Sequence, residues 1–483
     1  MDGNGTIRFL LDGEVHAVAD CSPTTTVLDY LRERLGRTGT KEGCAEGDCG
    51  ACTVVLAELA GAGIRYRAVN ACIKFLPTLD GKALVTVESL RGADGALHPA
   101  QRAMVECHGS QCGFCTPGFV MSLFALYQSD RRPGDEAIRQ ALSGNLCRCT
   151  GYRPILAAAR RMYEYPEVKA CERELREQLA AIRVTRELRL DGPGGSYVAP
   201  VTVAGLAAAL AERPSATILA GGTDVGLWVT KHQRDLPDII YLGNASELST
   251  VATANGALEI GATVSLTDAF AALLAEYPEL GEIARRFASP PICNAGTLCG
   301  NVANGSPIGD SMPALICLGA RVVLRNAAGT RELPLEDFYL DYMKQDLRPG
   351  EFLQSVCVPR ARPGLLLRSY KIGKRYDQDI SAVCGAFAIE LADGHVAAAR
   401  VAFGGMAATP RRATGCERAL AGAAWNAAGI APAIAALASD FTPITDLRAT
   451  RGYRARVAAN LLHRMLAETA ERAVAASVWT HAR

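Results

Sequence analysis

The chain has 483 residues, of which 49% are hydrophobic and 21% charged, and its 51 lysines and arginines nearly balance 50 aspartates and glutamates. This near-neutral charge gives no basic footprint for nucleic acid or an anionic membrane surface. No run of about eighteen strongly apolar residues predicts a membrane-spanning helix, and residues 1–5 lack the basic and apolar regions of a secretory signal. We expect a cytoplasmic protein of about three domains, at roughly 150 residues each.

The first ninety residues are predicted to alternate between strands and one helix. Asp12-Gly13 separates two strand-like runs, a strong hairpin signal. A helix follows, with Thr24 or Thr25 as its N-cap. Further strands are predicted at 53–59, 64–70 and 83–88. Together these elements predict a small α+β domain over residues 1–90.

The pattern becomes helical over residues 91–165. Four segments begin with a proline or a capping residue, and we predict helices at 99–107, 117–128, 136–143 and 154–163. The turns that precede two of these helices are similar, with CTPG at 115–118 and CTGYRP at 149–154. This similarity predicts an internal pseudo-repeat in which a cysteine-bearing turn joins two helices, twice over.

The rest of the chain is predicted to contain a linker and a longer α/β region. Residues 166–196 are first charged and then rich in glycine and proline, which is typical of a linker. Residues 197–367 carry two glycine-rich stretches, and residues 368–483 mix strands with alanine-rich helices.

Eight of the seventeen cysteines fall into two groups of four. Without an export signal the thiols are expected to be reduced, so eight clustered thiols indicate metal binding. The first thiol set is Cys44, Cys49, Cys52 and Cys72, and the second thiol set is Cys112, Cys115, Cys147 and Cys149.

The first thiol set has the spacing of a plant-type ferredoxin, in which four thiolates bind a 2Fe–2S cluster. Three glycines lie in the same loop, Gly43, Gly47 and Gly50. They permit positive φ and let the loop wrap tightly, so that backbone N–H groups point at sulfur. A zinc knuckle is the alternative, although its paired Cys-x2–4-Cys turns suit this loop less well.

The second thiol set combines a Cys-x2-Cys pair with a Cys-x-Cys pair, which is unusual for zinc. Helices predicted to start at Pro117 and Pro154 would point their partly positive N-termini at a negatively charged cluster. The alternative is two unrelated cysteine pairs packed in a helical bundle.

Two glycine-rich stretches, 218–226 and 294–310, suit a nucleotide ligand. The first lacks the Gly-x-Gly-x-x-Gly order of a Rossmann fold. A Gly-Gly turn after a strand can still present N–H groups to a pyrophosphate, and a simple tight turn is the alternative. The second stretch offers polar groups for ribose or ribityl hydroxyls on Thr297, Asn301, Asn304, Ser306 and Asp310.

These motifs resemble those of a known family. QCGFCTPG and GNLCRCTGYRP, following the first thiol set, are similar over residues 1–165 to the iron–sulfur region of the xanthine dehydrogenase and aldehyde oxidase family of molybdenum hydroxylases. LAGGTDVG and NAGTLCGNVANGSPIGD resemble that family's FAD-binding segments, over 197–483 and more weakly after 410. The resemblance implies an α+β multidomain fold: a β-grasp 2Fe–2S ferredoxin domain, a four-helix 2Fe–2S bundle of pseudo-two-fold symmetry, and an FAD domain of vanillyl-alcohol-oxidase-like type with a C-terminal α/β subdomain.

The same resemblance assigns roles to individual residues. Both thiol sets would each bind one 2Fe–2S cluster, and Gln111 and Cys149 would lie against a molybdopterin. FAD would contact Ile218, Leu219, Ala220, Gly221, Gly222, Thr223, Asp224 and Val225 at its pyrophosphate, Phe287 near the adenine, Thr297, Asn304 and Asp310 along its length, Leu353, and Lys371 by the flavin ring. Asn304 stands where mammalian relatives tend to have threonine.

For three of these residues the sequence leaves a second interpretation open. Phe287 suits core packing and Lys371 suits a solvated surface. Gln111 suits a local turn cap, since its side chain can both donate and accept hydrogen bonds.

The resemblance implies an electron-transfer chain within an NAD-dependent enzyme. The family hydroxylates substrates at a molybdopterin centre, expected here on a large partner subunit of an α2β2 heterotetramer. Electrons from a purine would cross both clusters to FAD and NAD⁺, as hypoxanthine becomes xanthine and then urate. The alternative is the small subunit of a molybdenum hydroxylase acting on aldehydes or N-heterocycles. A zinc-stabilised scaffold that senses a nucleotide is a third hypothesis, and carbon-monoxide-dehydrogenase-like members are disfavoured because they usually carry these parts on separate chains.

Overall fold

A computed structural model describes residues 5–92, 94–129, 132–168, 172–192 and 194–470. The described chain packs into two compact units. The first unit comprises the described residues up to Glu247 together with Ser265–Thr267 and Ser289–Thr297. The second comprises Leu248–Val264, Asp268–Ala288 and the described residues from Leu298 onward. Within the described ranges, no helix combines the length and the apolar character needed to cross a membrane.

The N-terminal part forms a five-stranded sheet that begins with the predicted hairpin. Asp12 and Gly13 have φ of 55° and 78°, as a tight hairpin turn requires. The remaining strands follow the predictions closely. The strands are β1 (Ile7–Leu11), β2 (Glu14–Val18), β3 (Thr53–Ala60), β4 (Gly63–Asn70) and β5 (Ala83–Val85), in the order β2-β1-β5-β3-β4.

The first helix begins later than predicted. Helix α1 (Val27–Asp29) continues as a wider π-helical turn over Tyr30–Arg34. Its N-cap is Thr26, whose hydroxyl accepts a hydrogen bond from the backbone N–H of Asp29 at 3.1 Å. The predicted caps Thr24 and Thr25 are therefore wrong. Thr25 instead donates its backbone N–H to the carbonyl of Ser22 in the preceding turn.

Four helices follow where the sequence predicts them. They are α2 (Pro99–Glu106), α3 (Thr116–Ser129), α4 (Asp135–Leu142) and α5 (Arg153–Arg161). Their apolar faces bury a common core around Phe119 and Ile155, which Val55 of β3 and Ala68 of β4 also join. The helices therefore pack on one face of the first sheet, and the cysteine-bearing turns sit at their ends.

The segment 166–196, expected to be a linker, contains regular structure. It holds α6 (Glu172–Ala181) and strand β6 (Leu188–Gly192). Leu179 of α6 is buried against Leu10, Ala57 and Ala83 on the first sheet. One apolar stripe at helical spacing, Leu175, Leu179 and Ile182, anchors an otherwise charged helix, and the surrounding charge hides this stripe in the sequence.

The elements that follow complete both units. In chain order they are β7 (Gly195–Ala199), α7 (Val203–Glu212), β8 (Thr217–Leu219), α8 (Val225–Thr230), β9 (Asp238–Tyr241), β10 (Val251–Ala254), β11 (Ala257–Gly261), α9 (Leu266–Glu276), α10 (Gly281–Arg286), α11 (Pro290–Ala295), α12 (Leu298–Asn304), α13 (Ser311–Cys317), β12 (Arg321–Asn326), β13 (Gly329–Pro334), β14 (Tyr339–Asp341), β15 (Lys344–Gln345), β16 (Phe352–Pro359), β17 (Leu366–Ile372), β18 (Val383–Ala392), β19 (His395–Gly404), β20 (Arg411–Arg412), α14 (Thr414–Leu420), α15 (Ala427–Asp440) and α16 (Arg451–Thr469).

The first unit has a second sheet, in the order β6-β7-β9-β8. Tyr197 and Ile239 of this sheet share a hydrophobic core with Phe9 and Leu28 of the N-terminal region. The strand β8 ends at the first glycine-rich stretch. The two sheets of the first unit therefore place that stretch and the first thiol set around one core.

The second unit contains two larger sheets and a short hairpin, β14-β15. The sheets have the orders β10-β11-β16-β12-β13 and β17-β18-β19-β20. Arg454 of α16 is almost completely buried. It donates to the carbonyls of Ala382 and Gly405 and pairs with Asp446 at 2.7 Å. The guanidinium therefore connects α16 to the residues that flank β18 and β19 at the open end of their hairpin.

We predict that His98 makes the helical region sensitive to acid. Its ring accepts the Ala100 N–H at 3.1 Å to cap α2, and burial lowers its pKa to about 4. Because the unfolded chain binds this proton near pH 6.5, stability is complete above that pH and is lost as pH falls toward 4. His98→Asn keeps a capping side chain and removes the titration.

We expect wild-type stability to fall by about 2 kcal/mol more than that of His98→Asn between pH 7 and pH 5. Urea unfolding followed by far-ultraviolet circular dichroism at the two pH values measures this difference. Parallel losses in both proteins would contradict the assignment.

Candidate functional site

The first thiol set is assembled from the loop between α1 and β3 and from the end of β4. Cys52 and Cys72 are buried, and their sulfur atoms lie 3.3 Å apart. Cys44 is half-buried, and its sulfur accepts the backbone N–H groups of Glu46 and Cys49, each at 3.4 Å. The structure therefore brings together all four thiols that the sequence assigned to this set.

The glycines of this loop are required by its geometry. Gly47 and Gly50 have φ of 76° and 70°, which side-chain-bearing residues rarely adopt. A Cβ at Gly43 would lie 2.7 Å from the sulfur of Cys49. The backbone therefore wraps the thiols too closely for side chains at these positions.

The environment of the first thiol set favours the thiolate form at two positions. Hydrogen bonds from the thiols of Cys49 and Cys72 hold the pKa of Cys44 well below its ordinary value. The Cys72 thiol likewise lowers the pKa of Cys52. The same hydrogen bonds raise the pKa of the donor thiols of Cys49 and Cys72, so the four thiols interact closely with one another.

The second thiol set lies at the turns that precede α3 and α5. The Cys112 thiol is hydrogen-bonded with Cys149, and the Cys115 thiol with Cys147. The sulfur of Cys147 accepts the backbone N–H of Thr150 at 3.5 Å and lies 3.1 Å from its hydroxyl oxygen. Cys112 and Cys149 are exposed.

Both sets fit a diiron cluster by their donor chemistry. Cys52 and Cys72 lie close together in the first set, and the thiols of the second set form two hydrogen-bonded pairs. A 2Fe–2S cluster takes four thiolates, two on each iron.

Asn145 joins the two cysteine loops. It is buried, and its side-chain amide donates to the carbonyl of Gly50 at 3.0 Å and to the hydroxyl of Thr53 at 3.2 Å. Its side-chain carbonyl accepts the hydroxyl of Ser122 at 2.6 Å. The next residue, Leu146, donates its N–H to the carbonyl of Cys49 at 3.0 Å. The loops of the two thiol sets are therefore in direct contact.

The first glycine-rich stretch forms a tight turn between β8 and α8. Gly222 has a φ of 80°. A Cβ at Gly221 would lie 2.1 Å from the carbonyl oxygen of Ala295. Thr223 and Gly296 also lie side by side, since a Cβ at Gly296 would be 3.3 Å from the Thr223 hydroxyl. The turn thus packs closely on the start of the second glycine-rich stretch, next to Thr297.

In the second unit the structure brings together two predicted FAD ligands, Asp310 and Lys371. Their side chains form an ion pair that is almost completely buried. The hydroxyl of Ser381 donates to the other carboxylate oxygen of Asp310 at 2.6 Å. The solvated-surface interpretation of Lys371 is therefore wrong. A buried pair retains its charges only with good geometry and further hydrogen bonds, which Ser381 supplies.

The other predicted FAD residues occupy more ordinary positions. Phe287 follows α10, is half-buried and contacts the ring of Phe270 edge to face at 5.2 Å, which agrees with its core-packing interpretation. Leu353 is buried in β16. The backbone carbonyl of Asn304 accepts the side-chain amide of Gln345 at 3.1 Å. Contacts of these residues with FAD stay predictions.

Gln111 is exposed beside Cys112. Among the described residues, no hydrogen-bond partner is found for its side chain, so the structure does not support the turn-cap interpretation. Its amide is available to a ligand or a partner, and Cys149, whose thiol is hydrogen-bonded with Cys112, is exposed nearby.

Sequence reasoning missed three polar residues near these sites. Asn145 and Ser381 support the cysteine loops and the buried ion pair, and Thr230 of α8 donates to the carbonyl of Ala45. Asn145 lies inside the motif GNLCRCTGYRP, which was a usable signal. Nothing in the local pattern marks Ser381 or Thr230, because their partners are distant in sequence.

We predict that Asn145→Ala destabilises the first unit by about 3 kcal/mol, because it leaves buried polar groups without partners. Ser122→Ala removes only one of these hydrogen bonds and should cost about 1 kcal/mol. Native-state hydrogen exchange at the amides of β3 and α3 measures both losses. If Asn145→Ala lost no more stability than Ser122→Ala, the hydrogen bonds from the Asn145 amide to Gly50 and Thr53 would not contribute to stability.

Four domain families match successive parts of the chain. They are described as a 2Fe-2S iron-sulfur cluster binding domain at residues 10–74, a [2Fe-2S] binding domain at 86–160, an FAD binding domain in molybdopterin dehydrogenase at 189–361, and a CO dehydrogenase flavoprotein C-terminal domain at 368–469. All eight cysteines of the two thiol sets lie inside the two iron–sulfur matches, and both glycine-rich stretches lie inside the FAD-binding match.

Relatives are similar over most of this chain. The xanthine dehydrogenase of Emericella nidulans is 32% identical over 86% of this chain and 35% of its own length. The xanthine dehydrogenase/oxidase of Gallus gallus is 30% identical over 86% of this chain and 36% of its own length. The chain thus spans about a third of the length of these curated relatives.

Solved structures are similar over a smaller part. A chain of the carbon monoxide dehydrogenase from Hydrogenophaga pseudoflava is 27% identical with a TM-score of 0.54, covering 58% of this chain and 98% of that chain. A chain of quinoline 2-oxidoreductase from Pseudomonas putida 86 is 27% identical with a TM-score of 0.53, covering 59% and 99%. The chain belongs to the molybdenum hydroxylase family, whose 2Fe–2S and FAD-binding domains it carries.

Proposed function

We propose that the chain is the electron-transfer subunit of an NAD-dependent xanthine dehydrogenase. In this proposal electrons leave a purine at a molybdopterin centre on a large partner subunit, which forms an α2β2 heterotetramer with this chain. The electrons cross the second thiol set and then the first, and reach NAD⁺ by way of FAD. Hypoxanthine is thereby converted to xanthine, and xanthine to urate.

The observation that carries this proposal is the direct contact between two four-thiol sites. The exposed set, with Cys112 and Cys149 at the surface, suits electron entry from a partner. The first set is more buried, and Leu146 beside Cys147 donates its N–H to the carbonyl of Cys49 in that set. When bound, two 2Fe–2S clusters carry single electrons and FAD collects two for transfer to a nicotinamide.

The residues of this chain hold and orient these groups. The eight thiolates bind iron, and the backbone amides of Glu46, Cys49 and Thr150 donate to cysteine sulfur. The turn Ile218–Val225 receives the FAD pyrophosphate, and Thr297 bonds along the length of the cofactor. Phe287, Asn304, Asp310, Leu353 and Lys371 line the rest of the FAD site. Gln111 and Cys149 face the partner's molybdopterin.

The comparisons support this assignment through the relatives' names. Proteins named xanthine dehydrogenase match this chain at 30% to 32% identity, which favours a purine substrate. The word dehydrogenase in the names of these relatives favours NAD⁺ as the acceptor.

The finer architecture follows from the same proposal. We infer a β-grasp ferredoxin domain at 1–90, a pseudo-symmetric four-helix domain at 91–165, a connection at 166–196, a vanillyl-alcohol-oxidase-like FAD domain at 197–367 and a C-terminal subdomain at 368–483. The five-stranded sheet lies within the first of these ranges and the helices α2–α5 lie within the second. The cytoplasmic location expected from the sequence stays a prediction.

A molybdenum hydroxylase acting on aldehydes or N-heterocycles is the second candidate. The match to quinoline 2-oxidoreductase favours it, because quinoline is an N-heterocycle. Co-expression with the large subunit separates the candidates. Xanthine should bleach the visible spectrum of the complex anaerobically, whereas bleaching by quinoline or an aldehyde alone would support the second candidate.

We predict that the chain binds four iron atoms and one FAD, with two distinct electron paramagnetic resonance signals when reduced. Cys49→Ser should remove or perturb only the ferredoxin-type signal, because its sulfur belongs to the first thiol set. Cys112→Ser should affect only the other signal. Cys357→Ser, at a half-buried cysteine outside both sets, is the matched control and should leave both signals unchanged. Stoichiometric zinc in place of iron would contradict the proposed function.

We also predict that Gln111→Ala slows reduction of both clusters by substrate while iron and FAD contents stay normal. The physical reason is the loss of an exposed amide that can both donate and accept hydrogen bonds at a pterin edge. NADH should still reduce the clusters from the flavin end at the wild-type rate, as stopped-flow absorbance would show. Equal slowing from both ends would mean that the substitution disturbs the cluster itself.

A further inference from the structure

Helix α8 connects the first glycine-rich stretch to the loop of the first thiol set. It begins at Val225, directly after the turn Ile218–Asp224, and ends at Thr230. The hydroxyl of Thr230 donates to the carbonyl of Ala45 at 2.8 Å. The ammonium of Lys231 donates to the carbonyl of Cys44 at 3.1 Å and pairs with Glu46 at 3.2 Å. The end of α8 thus holds the segment that carries Cys44.

The first turn of α8 contacts the other side of the same thiol set. A Cβ at Gly226 would lie 2.5 Å from the carbonyl oxygen of Ile73 and 2.8 Å from its Cβ. Ile73 follows Cys72 directly. The N–H of Gly226 also donates to the carbonyl of Gly222 at 2.7 Å. A displacement of the glycine turn therefore moves α8 against both Cys44 and Cys72.

The two contacts at the end of α8 differ in strength. The side chains of Lys231 and Glu46 are each 41% exposed, and exposed ion pairs contribute little to stability. Thr230 is half-buried, and its hydroxyl bonds a carbonyl of Ala45, which has a φ of 54°. Alanine adopts this left-handed conformation only at a steric cost. The hydrogen bond from Thr230 helps to offset that cost.

We propose that Thr230 is a positioning residue that couples the FAD turn to the first thiol set. Ordering of the turn Ile218–Val225 by a bound pyrophosphate fixes α8, and Thr230 then fixes the Cys44–Ala45 backbone. This inference rests on the proposed function, which places FAD at the turn and a 2Fe–2S cluster at the thiols. Coupling of this kind is reciprocal, because occupancy of either site stabilises the arrangement that the other needs.

The test compares the FAD-loaded protein with protein stripped of FAD, using two readouts other than activity. Hydrogen exchange at residues 44–49 reports the mobility of the cysteine loop. Electron paramagnetic resonance of the reduced ferredoxin-type cluster reports its geometry, with the signal of the second thiol set as an internal reference. The variants are Thr230→Val, which removes the hydroxyl, and Thr230→Ser, which retains it. Thr217→Val, at a half-buried threonine of β8, is the matched control.

We expect FAD removal to speed exchange at residues 44–49 severalfold in the wild type, with no change at residues 112–115. Thr230→Val should show the faster exchange and an altered ferredoxin-type signal already with FAD bound, and FAD removal should then add little. Thr230→Ser and Thr217→Val should behave like the wild type.

Iron and FAD contents separate failure of this inference from failure of the proposed function. Absence of iron or FAD from the wild type would overturn the proposed function. Normal contents, with equal exchange at residues 44–49 with and without FAD, would overturn the coupling alone. Equal changes in both cluster signals on Thr230→Val would also overturn it. If Thr230→Val does not fold, the wild-type exchange comparison and the Thr230→Ser rescue still decide the question.

Discussion

The arrangement of the first unit depends on the close approach of backbone at the two cysteine loops. A Cβ at Gly118 would lie 2.1 Å from the carbonyl oxygen of Gly50, and a Cβ at Gly50 would lie 2.1 Å from that of Gly144. Carbonyls brought this close need donors, since a buried carbonyl without one is costly. The side-chain amide of Asn145 donates to the carbonyl of Gly50, and the backbone N–H of Leu146 donates to the neighbouring carbonyl of Cys49. The two thiol sets consequently share one rigid framework, and neither loop can move without breaking hydrogen bonds of the other.

Two different kinds of contact hold the first thiol set, one on each side. On the side of α3 the contacts are backbone on backbone, bridged by the buried side chain of Asn145. On the side of α8 the contacts are the close packing of Gly226 on Ile73 and the hydroxyl of Thr230. Small residues permit both approaches, because any larger side chain would separate the elements. An electron-transfer site benefits from such rigidity, since little rearrangement then accompanies a change in charge.

In the second unit the notable polar feature is a buried ion pair. Asp310 and Lys371 are buried as an ion pair, and desolvation makes such pairs costly unless their hydrogen bonds are satisfied. Ser381 satisfies one of the two carboxylate oxygens and Lys371 the other. A hydrophobic pair of similar volume would pack at no such cost. The retention of charge in this interior agrees with a role toward a polar ligand, which the proposed FAD site supplies.

The local sequence pattern predicted most of the helices and strands. Hairpin turns, helix starts and apolar periodicity depend on residues that are close together in the sequence. Asp12-Gly13 and the helices at Pro99 and Pro154 are examples. Prediction failed at α6, where one stripe of three apolar residues decides the packing of a charged segment. It also failed for the cap of α1, because several threonines in succession offer equivalent hydroxyls and only the final backbone geometry selects Thr26.

The sequence by itself determined the chemistry of the chain. Eight thiols at two characteristic spacings, with glycines around them, already indicated two iron–sulfur sites, and two glycine-rich stretches indicated a nucleotide. Only the tertiary structure decided which groups support these sites. Asn145 reaches a carbonyl 95 residues away and Thr230 one 185 residues away, and Lys371 finds Asp310 across 61 residues. Such contacts depend on how sheets and helices pack. The sequence around a hydroxyl or an amide does not indicate which distant residue will become its hydrogen-bond partner.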